Sequence, residues 1–287
     1  MNGRATHKVW VVLFTCMRIR AVHAEIVFGL DADSLLQAIR CFCVRRPGVK
    51  AFHSDQGTNL TKADKVIQTQ LREWNKTCAE HLRMQGIEWN LIAPRSPHAG
   101  GVWERMVSLF KRHLAHQGST DPLHIRALQT LVVEIEGIIN RRPLTSNSDD
   151  PTDFEALTPA HLLYPGASSR SSNNILPSTT TNAESTRNAW IRVQARVNAF
   201  WLHWKREYIV LLHQRKKWLK TEKDLRMDDL VIMVEDNVHR GDWRMARVIN
   251  IYSDGTHVRK ADIKTADGKV FQRDRTKLIL LELDWED

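Results

Sequence analysis

Two acidic residues stand where carboxylate chemistry would need them. Asp55 follows the short apolar run 49–53 in Ser54-Asp55-Gln56-Gly57-Thr58-Asn59. A carboxylate at the C-terminal edge of a strand lies where open α/β sheets place their ligands. Gly57 permits a sharp turn behind it and Asn59 can hold that turn, so a turn-capping aspartate fits as well as a reactive one. Glu104 follows Gly100-Gly101 and reads as part of a helix's first turn. An acid there complements the helix dipole as readily as it serves a reaction. Ser108, Lys111 and Arg112 continue its face at i+4, i+7 and i+8, positions that share one side of a helix. An acid followed by cations at the mouth of a sheet suits phosphate contact; merely solvated side chains give the same pattern. The thirteen histidines lack metal-ligand spacing, and Cys16, Cys41, Cys43 and Cys78 form no C-x-x-C pair. A structural zinc site is therefore not supported, and the thiols read as free, buried and in a reducing compartment.

The elements that must position these residues follow from periodicity. Residues 8–15 and 21–28 are apolar and β-branched with a basic turn between them, a hairpin. Asp31 or Asp33 caps a helix over 34–44 with Leu35, Leu36, Ile39 and Phe42 on one face. A strand over 49–53, a helix over 62–85 and a strand over 87–92 come next, and then a Pro/Gly loop over 93–101. Helices over 102–116 and 122–140 complete an α/β layer arrangement.

Residues 146–183 are rich in Ser, Thr, Asn and Pro and read as a linker with a docking segment at 157–163. A long helix over 184–219 carries Trp190, Val193, Val197, Trp201, Trp204 and Tyr208 near one stripe, which fits packing better than base stacking. Beyond it, five short alternating segments (230–234, 245–252, 257–264, 269–272 and 277–281) fit a small barrel, with turns at Asp254-Gly255 and Asp267-Gly268. The domain division is 1–145, 146–183 and 184–287.

Net charge is +9, which favours a polyanionic partner. Its distribution is uneven: residues 1–183 carry +5, residues 184–223 carry +7 and residues 224–287 carry −3. Arg215, Lys216 and Lys217, bunched at the end of the long helix, are the strongest nucleic-acid contacts in that half. Arg244 and Arg247, with Arg259 and Lys260, are candidates for a basic face on the barrel despite its acidic balance. No apolar stretch approaches the ~20 residues that span a bilayer, and the first seven residues hold no apolar core of a signal peptide. A nuclear or cytoplasmic location is expected, without secretion, membrane or small-molecule substrate.

Several of these segments together resemble the integrase catalytic core of retroviruses and long-terminal-repeat retrotransposons, an RNase H-like fold. The matching pieces are the hairpin over 9–28, Ser54–Asn59, Pro97–Arg105 and Asn140–Thr145. The forms Gly100-Gly101-Val102-Trp103-Glu104-Arg105 and Asn140-Arg141-Arg142-Pro143-Leu144-Thr145 are most similar to the Pao/BEL group, as are Phe200–Tyr208 and Gln214–Trp218. The segments 228–232 and 243–249 resemble the SH3-like carboxy-terminal domain of such integrases. The resemblance covers nearly the whole chain and rests on the order of its pieces more than on any one.

It implies Asp55 and Glu104 as the second and third of three carboxylates that hold two Mg2+ or Mn2+ ions. They stand 49 positions apart, longer than the family's usual interval, with the extra length in the helical stretch 62–85. The first carboxylate belongs on a strand before the hairpin, where only Met1–His7 stands, with no acid. The fold is therefore expected to lack its first strand and to leave an open ladder edge beside the hairpin. Little or no strand-transfer activity is expected. The readings left open are an integrase-like protein for DNA integration, a non-enzymatic nucleic-acid-binding or assembly module, and a degenerate copy. The family also implies a homo-oligomer.

Overall fold

The structure is a computed structural model. It describes residues 8–54, 65–84, 86–91, 97–115, 123–148, 150, 152–164, 189–212, 224–236, 238–253 and 257–281. The chain divides into two compact units, Met1–Glu136 and Gly137–Asp287.

The first unit is mixed α/β. β1 (Trp10–Thr15) and β2 (Val22–Val27) form the expected antiparallel hairpin, with Phe14 opposite His23. α1 (Ala32–Arg45) starts at Asp31, whose Oδ1 accepts from the Ser34 backbone N–H at 2.8 Å and whose Oδ2 accepts from the Ser34 hydroxyl at 2.8 Å. These bonds satisfy donors that a helix start leaves open. β3 (Ala51–Ser54) pairs parallel with β4 (Glu88–Leu91), and α2 (Lys65–Met84) makes the crossover between them. α3 (Pro97–Ala115) packs against β1, and α4 (Ile125–Asn140) follows, its residues through Glu136 belonging to this unit.

One apolar centre serves both strand pairs. Ile39, Cys78 and Leu82 are buried at its heart, with Phe14 from β1, Phe52 from β3 and Trp89 from β4 against them. Phe42 stacks on Phe14 at 4.3 Å between ring centroids, and Phe52 lies 5.9 Å from both Phe14 and Trp89. Yet β1–β2 and β3–β4 remain separate two-stranded sheets, and no ladder among the described residues joins them. Among the described residues β1 pairs with β2 alone. Not every thiol is inside: Cys78 is buried, and burial pushes its thiol up to about 11, whereas Cys16 and Cys41 are exposed.

The second unit is built on a five-stranded antiparallel sheet. Its strands are β7 (Leu230–Met233), β8 (Met245–Ser253), β9 (Val258–Thr265), β10 (Val270–Asp274) and β11 (Leu278–Leu280), in the order β10-β9-β8-β7-β11. Each lies within two residues of its expected bounds. Gly268, at φ +80°, makes the β9–β10 turn in a conformation that suits glycine; Asp254-Gly255 lies outside the described residues. β7 is buried throughout because its two faces meet different partners. Val231 and Met233 point into a core with Ala246, Val248, Ala261, Ile263 and Leu278. Leu230 and Ile232 pack with Ala156, Ile279 and Leu281 on the other side.

α6 (Ala189–Leu212) covers that other side. Val193, Val197, Trp201, Trp204 and Tyr208 are buried, as the stripe anticipates, and Phe200 joins them. Trp190, in the first turn of the helix, is exposed instead. Trp201 and Tyr208 each meet Trp243 edge-on, at 5.2 and 5.4 Å.

Much of the supposed linker is structured. β5 (Thr145–Ser146) pairs with β6 (Ala156–Leu157), and α5 (Pro159–Leu163) follows, capped by Thr158. The whole segment belongs to the second unit. Residues 165–188 lie outside the described residues.

Candidate nucleic-acid interface

β3 delivers the chain to Asp55. Its last residue, Ser54, is held by the Trp89 indole N–H, which donates to the hydroxyl at 3.0 Å across the parallel pair. Asp55 itself lies outside the described residues, as do Arg215, Lys216 and Lys217.

Glu104 is described, and its position differs from the expected one. α3 begins at Pro97, a residue suited to a helix start because it lacks the N–H that would go unpaired there. The supposed loop over 97–101 is helical, so Glu104 lies in the third turn. The dipole falls off within the first turn, so it does not explain an acid here. Glu104 is exposed and has no hydrogen-bond or ion-pair partner among the described residues. Ser108, Lys111 and Arg112 are exposed on the same helix, and the Arg112 guanidinium reaches the Ser108 hydroxyl at 3.4 Å. Met106, Leu109 and Phe110 fill the buried side. The apolar side thus fixes which charges face solvent.

The hard oxygen of Glu104 suits a divalent cation. Among the described residues no group of three His, Cys, Asp or Glu side chains is arranged to hold a metal ion; Asp55 is not among them.

In the second unit the two barrel arginines part company. Arg244 is solvent-facing and ion-paired to Glu235 at 3.1 Å. Arg247 was expected on a basic face and is instead 8% exposed. Its guanidinium donates to the carbonyls of Asp150 (2.7 Å), Asp153 (2.8 and 3.1 Å) and Asp228 (2.7 Å). Local sequence shapes this acceptor set. The Asp150 carboxylate accepts from the Thr152 backbone N–H and hydroxyl, both at 2.8 Å, and Asp153 accepts from the Glu155 N–H at 2.8 Å. Such side-chain turns are an Asp habit, and they bring the Asp150 and Asp153 carbonyls to one cation. The Thr152 bonds hold the Asp150 carboxyl below its usual range. Asp228 adopts φ +69°, a left-handed conformation that Asp tolerates better than most residues. Arg247 is a structural staple, not a phosphate contact. Arg259 and Lys260 are exposed on β9.

Lys205 is a second buried cation that its sequence context hides. Its ammonium donates to the carbonyls of Glu235 and of Asp236, the latter at 3.2 Å, and desolvation lowers its pKa. The motif Asn140–Pro143 is likewise a joint: Asn140 and Arg142 are 4% exposed, and the Tyr208 hydroxyl donates to the Pro143 carbonyl. Burial pushes that phenol up to about 12. A cleft of about 410 Å3 in this unit brings Trp243, Phe154 and Phe271 together with Arg141, Arg244 and Lys269. It is assembled from four separate stretches of chain, which their spacing in the sequence does not bring together.

Residues 188–281 match the model of a family of unknown function (DUF5641). That match takes in α6 and all five strands of the sheet and covers less than half of the chain. No curated protein matches. Among solved structures, the chain is similar to a chain of the simian T-cell lymphotropic virus intasome in complex with PP2A regulatory subunit B56 gamma, studied by cryo-electron microscopy. The likeness has a TM-score of 0.32 and 10% identity, over 96% of this chain and 78% of that one. It is too loose to bear on mechanism.

Proposed function

We propose that this chain is an integrase-like, DNA-binding protein of a Pao/BEL-type retroelement. In this reading its first unit is an RNase H-like core and the sheet of its second unit is an SH3-like barrel. The observation that carries the proposal is α3, where an exposed Glu104 precedes Ser108, Lys111 and Arg112 on solvent-facing positions. The hairpin and the parallel β3–β4 pair, whose first strand ends at Ser54, are consistent with it. So is the meander order of the five-stranded sheet.

Asp55 and Glu104 are the residues that would hold Mg2+ or Mn2+. Bound there, such ions would polarise a phosphodiester and activate a water or a 3′-hydroxyl. Lys111 and Arg112 would neutralise backbone phosphates, and Ser108 would hydrogen-bond to them. Assembly as a homo-oligomer is part of the proposal.

A second reading, a nucleic-acid-binding module without catalysis, is favoured by one fact: residues 184–223 carry +7 of the net charge with no carboxylate motif among them. The two readings separate in a joining assay on the full chain with labelled DNA ends and Mg2+ or Mn2+. Salt-sensitive DNA binding with no joined product supports the module. Joining that disappears in Asp55→Asn and in Glu104→Gln supports the enzyme. Failure to retain DNA even at low salt refutes both.

A further inference from the structure

His23 sits at the centre of a buried ionic cluster unrelated to the carboxylates discussed above. Its side chain is 7% exposed, and each ring nitrogen faces a carboxylate. Nε2 lies 2.8 Å from Glu25 Oε1, on its own strand β2, and Nδ1 lies 3.1 Å from Glu136 Oε1, on α4. The other oxygen of Glu136 accepts from the Ala24 backbone N–H at 3.1 Å. Arg45, in the last turn of α1, pairs with Glu25, and Arg46 stands 3.5 Å from Glu136. Phe14 of β1 and Phe42 of α1 lie 6.2 and 5.4 Å from the imidazole, centroid to centroid.

The proton inventory follows from the acceptors. An ionised carboxylate only accepts, whereas a neutral imidazole has one N–H and one lone pair. Two carboxylates on two ring nitrogens therefore require two N–H groups, which only the imidazolium has. A neutral ring would turn a lone pair toward one of the carboxylates and forfeit that contact. We propose that His23 is a pH-sensitive lock: its imidazolium fastens β2 to α4, and loss of the proton as pH rises loosens the β1–β2 hairpin.

Burial alone would favour the neutral ring, but the hydrogen bonds and charges of Glu136 and Glu25 outweigh it, and the His23 pKa is raised. Arg45 and Arg46 are the like charges facing the cluster, and each is itself paired with one of the carboxylates. For a base whose pKa is higher folded than unfolded, the stabilisation is complete below the unfolded value, about 6.5. It is lost as pH rises through the folded value.

The test uses the full chain. NMR titration of the imidazole resonances, with His23 assigned by its absence in His23→Gln, should place its midpoint above that of an exposed histidine. Amide exchange, corrected for the intrinsic pH dependence of exchange, should show protection of Val22–Val27 falling as pH rises above about 6.5. His23→Gln and Glu136→Gln should both flatten that fall. A His23 midpoint at or below the ordinary value overturns the proposal, as does protection that is flat with pH or equally pH-dependent in His23→Gln. Should a variant fail to fold, the wild-type exchange profile together with the β2 signals that shift alongside the imidazole still decides.

Discussion

Lys111 and Arg112 on α3 and two cations of the second unit, Lys205 and Arg247, look alike in sequence and behave oppositely in structure. Lys111 and Arg112 ride on the outer side of a helix whose inner side is fixed by Met106, Leu109 and Phe110. Arg247 and Lys205 are turned inward, and backbone carbonyls take up their donors. A guanidinium 8% exposed, with four of its five N–H groups on carbonyls, has little left to offer a phosphate. What separates the two classes is whether the chain brings acceptors to the cation, and acceptors can come from ninety residues away.

The sharpest break in this comparison is Arg247→Leu. It strands carbonyls of Asp150, Asp153 and Asp228, and we expect a loss of about 3 kcal/mol in unfolding free energy, read from denaturant midpoints. Should the variant unfold with wild-type stability, Arg247 is not the staple described. Tyr208→Phe removes a single buried bond to Pro143 and should cost about 1 kcal/mol. It should also change the alkaline limb. A phenol held up to about 12 when folded ionises first in the unfolded chain, so stability falls as pH rises above about 10. That part of the fall should be missing from Tyr208→Phe. Lys111→Ala and Arg112→Ala sit at the other end of the scale, with stability changes within about 0.5 kcal/mol. Glu104→Gln should be equally mild, since no described residue depends on its charge.

The elements legible in the sequence are those set by local pattern. The five strands of the sheet fall within two residues of their expected bounds because turn chemistry and period-two alternation mark them directly. α1 was legible through its capping aspartate, and the stripe on α6 through its spacing. Less legible were features created by distant partners. Residues 145–163 look like a linker in composition, but they hold strands, a helix and two aspartate turns that are anchored by Arg247. The start of α3 was displaced because Gly100 and Gly101 suggest a loop, while the Pro97 that begins the helix also reads as a loop residue. Glu104 was thereby assigned to a first turn it does not occupy. Arg247 was misread for the same reason that Lys205 escaped notice. A lone basic residue beside apolar neighbours carries no local sign of which way it points.

On the proposed reading α3 would present charges of the first unit to DNA, whereas the buried cations of the second unit hold its fold. The most direct test is the salt dependence of DNA affinity for the full chain and for the double variant Lys111→Ala/Arg112→Ala. Two lost phosphate contacts should lower the slope of log affinity against log salt by about 2, with folding unchanged. A double variant that keeps the wild-type slope would contradict the account.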